Sequence, residues 1–129
     1  MVNLSKAEWV LRVGLFFLFI THGVSSLGGN EEWIEWIMNA TSWDAVLAGK
    51  ALFLLGVLDI VTGVLLLVKP LRIVVLWAGL WTSWTAIMVV LPFIGESVGE
   101  VTEKLINPAA AFALLYIRGV PNTLKGWLS

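Results

Sequence analysis

The chain contains no cysteine. That excludes disulfides, thiolate catalysis and cysteine-ligated iron–sulfur clusters carried by this chain alone. Charge is scarce as well: 13% of residues are charged, against roughly 25% in an ordinary soluble domain. A chain of 129 residues has a large surface for its volume and could not cover it in water with so few polar side chains. Net charge is −1, with no basic excess to neutralise phosphates, so nucleic acid is excluded as a partner. The single histidine means that a haem held by two histidines would need two chains. What the chain does have is apolar: 59% hydrophobic residues and a mean hydropathy of +0.92. The expected partner is the lipid bilayer.

Four apolar stretches, about 7–27, 49–68, 71–91 and 101–120, approach the roughly 20 residues that cross a bilayer as helix. The expected fold is all-α: one integral membrane domain over residues 1–129, an antiparallel bundle of four transmembrane helices. Lys69-Pro70 makes a tight hairpin between the second and third spans, because proline disfavours helix before it and lacks an amide. Asn107-Pro108 interrupts the fourth. Asn107 could cap a short helix with Pro108 in its first turn, but one longer helix kinked at Pro108 is the preferred reading. Lys6 and Arg12 before an apolar run, with small residues after it, also fit a signal peptide; a first membrane span is preferred.

Basic residues set the expected orientation. Lys6, Arg12, Lys69, Arg72, Arg118 and Lys125 all fall on one side of a four-span chain, and Glu31, Glu32, Glu35, Asp44, Glu96 and Glu100 fall on the other. The expectation is a multi-pass protein of the cell membrane with both termini cytoplasmic.

Between the first two spans, EEWIEWIMN sets Trp33, Trp36 and Ile37 on one helical face and its glutamates mainly on another. Such a helix lies in the headgroup zone, where tryptophan is enriched, either as a cap on the bundle or as a docking surface. Asn39-Ala40-Thr41 matches the short N-glycosylation triplet. Trp77, Trp81 and Trp84 fall at i, i+4 and i+7 and so share a face. They can wall a site for a planar ligand such as a quinone, or simply meet packing partners and lipid.

Asp59 sits in the middle of GVLDIVTGVLLLV, where a carboxylate costs about 2.5–3.5 kcal/mol on insertion scales. Such residues face the bundle interior and pair. His22, followed by Ser25 and Ser26 on the same face, is the expected partner. At about 1.5 Å of rise per residue, His22, Asp59, Thr85, Asn107 and Glu103 all fall between mid-membrane and the acidic side. Gly56, Asp59, Thr62 and Gly63 form a small and polar stripe; Ala78, Thr82, Thr85 and Ala86, and Glu103, Asn107, Ala110 and Ala111, form two more. Small residues let membrane helices approach and polar ones bond across them. The stripes should face one another around a shared polar pocket open to that side. The pocket would serve as proton relay or ligand anchor, or its His22–Asp59 contact would be a structural staple. Metal ligation by His22, Asp59 and Glu103 is a weaker idea, since no ligands recur at fixed spacing. No spacing marks a catalytic set.

These segments together resemble the DoxX-like family of small four-helix membrane proteins. WVLRVGLFFLFITHG resembles its first span, LLGVLDIVTGVLLLVKPLR its second, WTSWTAIMVVLP its third and EKLINPAAAFALLYIRG its fourth. Pro108 follows Asn107 directly, unlike the family pattern, and the tryptophan-rich outer segment is particular to this chain. The resemblance implies an accessory of membrane redox metabolism that binds a quinone-like or other small ligand, without identifying a cofactor. Its implied site positions are His22, Asp59, Trp84, Thr85, Glu103 and Asn107, to which the tryptophan stripe adds Trp81. The alternative is a non-enzymatic assembly or docking protein that binds another membrane protein or a second copy, with the polar cluster structural. Transport ranks last, because only apolar residues lie below Asp59 on the inner side.

Overall fold

The computed structural model describes residues 3–92 and 94–129. Its regular structure is helical throughout, with no strand among the described residues. The elements are α1 (Leu4–Leu27), α2 (Glu31–Thr41), α3 (Ala45–Val68), α4 (Arg72–Ile87), α5 (Val98–Lys104), α6 (Ile106–Arg118) and α7 (Leu124–Trp127), and a 3-10 turn, Met88–Val90, prolongs α4. Three stretches, Leu4–Leu27, Ala45–Val68 and Arg72–Val90, are long and apolar enough to cross a membrane.

The helix ends follow local chemistry. The Asn3 side chain accepts from the Lys6 amide and that of Asp44 from the Leu47 amide, each meeting a donor that the first turn leaves free. The Asp44 cap starts α3 at Ala45, four residues before the expected 49. Lys69 and Pro70 end it where the sequence places the hairpin. The short helix expected between the first two spans forms as α2, with Glu31, Glu32 and Glu35 exposed and Trp33, Trp36 and Ile37 half-buried. Gly29 in the left-handed region (φ 74°) and Ser42 (φ 64°) turn the chain at either side of it.

The expected fourth span is the main difference. Pro108 has no N–H to give the Lys104 carbonyl, and the helix divides there into α5 and α6, which meet at Leu105. Leu105 keeps right-handed helical angles (φ −66°, ψ −17°), so the chain continues in the same general course. Neither piece alone is long enough to cross: α6, with 13 residues, is roughly 20 Å long, against about 30 Å of hydrocarbon core.

α1 and α3 form the most extensive pair and run antiparallel, with Arg12 opposite Leu66, Phe19 against Gly63 and Gly23 against Gly56. α4 and α6 form the second pair. Leu15, Phe19, Leu66, Val75, Ala78, Ala111, Leu114 and Leu115 make one core across both pairs. α3 and α4 are joined by a three-residue turn yet touch sparsely, leaving an apolar groove lined by Leu58, Val61, Thr62, Leu65, Ile73, Val74 and Trp77. Phe17, Leu54, Val61, Leu80 and many other apolar side chains face outward. That is a broader apolar coat than a water-soluble monomer carries.

At the basic end, arginines fasten helix ends. The buried Arg12 guanidinium donates through Nε to the Leu66 carbonyl at 3.2 Å and also to the Leu67 carbonyl, in the last turn of α3. Its face lies over the Trp9 ring, 3.8 Å from the centroid. Arg72 does the same for α6, donating through Nε to the carbonyls of Arg118 and Gly119, at 3.1 and 2.9 Å, and through Nη1 to Ser129 at 3.2 Å. Arg118 in turn pairs with Glu8 of α1 at 2.8 Å. Cations at helix C-termini satisfy carbonyls that have no partner within the helix and complement the helix dipole.

Candidate functional site

The elements at the opposite end enclose a cavity of about 260 Å³. α1 contributes His22 and Ser26, α3 contributes Leu52, Leu55 and Asp59, and α4 contributes Trp81, Trp84 and Thr85. Lys104 and Asn107 enter from either side of the Leu105 joint. α2 lies across the opening with Trp33, Trp36, Ile37 and Thr41. Six of the residues singled out in the sequence therefore share this space: His22, Asp59, Trp81, Trp84, Thr85 and Asn107.

The seventh, Glu103, does not line it: Glu103 is exposed, and the neighbouring Lys104 turns inward instead. This removes the third ligand from the metal idea, and among the described residues no three His, Asp or Glu side chains gather closely enough to hold a metal ion. Lys104 and His22 line the same cavity. Sequence reading gave Lys104 no site role. The signal was present, since it is one of only two basic residues, with Lys50, away from the basic end.

Asp59 is 6% exposed, and its Oδ1 has no hydrogen-bond partner. Trp81 lines the same cavity. The expected contact with His22 is not made: the ion pair among the described residues is Glu8–Arg118, and His22 and Asp59 face the same space without joining. The imidazole instead meets the Trp33 ring edge to face, with centroids 5.6 Å apart and planes at 66°. α1 and α3 can approach without that bond because Gly23 and Gly56, next along toward α2, bring their backbones together.

The tryptophan stripe divides. Trp77 and Trp81 stack almost parallel, centroids 5.5 Å apart and planes at 13°. Trp81 and Trp84 wall the cavity, whereas Trp77 lines the α3–α4 groove and its indole N–H is buried without an acceptor. Thr82 and Thr85 return their hydroxyls to their own helix, donating to the carbonyls of Ala78 and Thr82 at 2.6 and 3.0 Å. Thr85 therefore presents a spent donor to the cavity. Asp59, His22, Lys104, Asn107 and Ser26 are lining side chains that carry further hydrogen-bonding groups.

Chemically, the site offers flat indole walls, an acceptor at one place and donors at others. Small-molecule sites of roughly 300–1,000 Å³ combine such apolar walls with a few convergent polar groups. At about 260 Å³ this cavity suits a single substituted ring. No protein-family model, no characterised protein and no solved structure matches the chain.

Proposed function

We propose that the chain is a DoxX-like multi-pass protein of the cell membrane whose cavity, in the outer half of the bilayer, binds a quinone-like ring as an accessory of membrane redox metabolism. In this reading α5 and α6 together complete a fourth crossing, and both termini are cytoplasmic. The outward apolar coat and the three long apolar helices support membrane residence. The concentration of basic residues at one end supports the orientation.

The observation that carries the ligand reading is a buried carboxyl, Asp59, unpartnered at Oδ1 and lining a cavity walled by indoles. A buried acceptor left unpaired costs about 1–3 kcal/mol, and such a group calls for an explanation, of which a molecule completing the site is one. The competing reading, a docking or assembly protein whose polar cluster is a staple, calls for His22 and Asp59 to satisfy each other. Their separation favours the ligand.

Native mass spectrometry of the protein, released gently from detergent, tests this. A defined mass above that of the chain, lost in Asp59→Leu, is expected. A bare chain mass after purification in the presence of membrane quinone extract would overturn the reading and turn attention to partners of α2.

A further inference from the structure

The hydrogen-bonding pattern of the cavity points to more than a flat ring. A carboxylate only accepts hydrogen bonds. Asp59 Oδ1 is buried and unpartnered, and Asp59 lines the cavity between the Trp81 wall and α1. No side chain among the described residues donates to Oδ1. The part of the Asp59 carboxylate that lines the cavity is left for an occupant, and a carboxylate asks that occupant for a donor. Elsewhere around the same space stand side chains that can donate: the Lys104 ammonium, the Asn107 amide and the His22 imidazole.

We infer that the site is built for a hydroxyl-bearing aromatic ring, a phenol or quinol, in preference to a ring that carries carbonyls alone. This rests on the ring-binding reading above and names which chemical form is held. The ring lies against Trp81 or Trp84, its hydroxyl donates to Asp59, and a second oxygen accepts from Lys104 or Asn107. A quinone has only acceptor oxygens. Set against Asp59 it would leave two acceptors facing each other and the carboxylate desolvated. Sites built around a substrate hydroxyl discriminate strongly against analogues that lack it, because the polar group of the site is then left unpaired.

The test is equilibrium dialysis of the detergent-solubilised protein against tetramethylhydroquinone and tetramethylbenzoquinone, kept anaerobic and corrected for empty micelles. The hydroquinone should bind at least about tenfold more tightly, the size of one charge-assisted hydrogen bond. Asp59→Asn keeps the shape and adds an amide donor, so it should narrow that preference to about threefold or reverse it. Equal or tighter binding of the quinone by the native protein overturns the inference and leaves ring binding standing. A preference unchanged in Asp59→Asn also overturns it, since the discrimination would then lie elsewhere. Binding of neither compound overturns the ring-binding reading itself.

Discussion

Gly23 and Gly56 bring the backbones of α1 and α3 into contact: a Cβ on either would stand 3.0 Å from the other's carbonyl oxygen. On Gly56 it would also meet Ser26 Cβ at 2.9 Å, and on Gly23 the Ile60 Cγ1 at 2.5 Å. Backbone cannot move aside as a flexible side-chain tip can. Gly56→Val should destabilise the protein by about 1–3 kcal/mol, as overpacking of a close interface does. Asp59 lies one turn along the same face, so ligand affinity should fall too. Thermal unfolding in detergent gives the first number, and an unchanged midpoint would show that the two helices have room to part.

Asp59 should cost stability rather than supply it. Asp59→Leu removes an unpaired buried acceptor that costs about 1–3 kcal/mol. The ligand-free variant should unfold at the same temperature as the native protein or higher, while losing the bound ring. A midpoint lower by several degrees would give the carboxylate a structural partner and return the cluster to a staple.

Arg72 reaches three carbonyls, those of Arg118, Gly119 and Ser129, through the planar fork of its guanidinium. Lysine keeps the charge and loses the fork. Arg72→Lys should lose about 1–3 kcal/mol and expose the segment after Arg118 to proteolysis. Digestion at matched temperatures, with intact-mass readout, would show it. A cleavage rate equal to that of the native chain would mean that charge alone suffices there.

Trp33 closes the cavity from α2 by resting on His22. An aromatic pair of this kind contributes about 0.5–1.5 kcal/mol beyond its buried area. Trp33→Ala should speed ligand exchange by roughly 2- to 10-fold if opening of α2 limits it. Stopped-flow displacement would measure this, and an unaltered off-rate would place the exit elsewhere, with the α3–α4 groove the next passage to block.

Because the chain has no cysteine, orientation can be read with single introduced thiols. Lys50→Cys, exposed near the start of α3, should react with an impermeant maleimide from outside intact cells. Lys69→Cys and Lys125→Cys should react only after lysis. The reverse pattern would invert the proposed topology.

Much of this arrangement was legible in the residues. Long apolar runs, Lys69-Pro70 and the EEWIEW pattern are local signals, and α1, α2, α3 and α4 follow them closely. The convergence of His22, Asp59, Trp81, Trp84, Thr85 and Asn107 was legible because an isolated polar residue in an apolar helix has few places to go. Glu103 and Lys104 are neighbours at i−4 and i−3 of Asn107, so a helical wheel places either beside it and does not choose; the structure turns Lys104 inward and leaves Glu103 exposed. The arginine clamps were not legible at all. Arg12 and Arg72 act on backbone carbonyls of other helices, and a carbonyl has no sequence signature.

The thin seam between α3 and α4 bears on how the protein is made. α1 and α3 hold each other, and so do α4 and α6, so the molecule is two helical pairs in chain order joined at residues 69–71. Ribosomes add about 5–20 residues per second. The N-terminal pair, with Arg12 latched onto the end of α3, is therefore finished seconds before α6 emerges. Until then the Leu15 and Phe19 side of that pair has no protein neighbour, and in the proposed membrane lipid must stand in for it. An insertion machinery would handle two half-bundles in succession, and a chain ending at Val68, once released, would already carry a native-like unit.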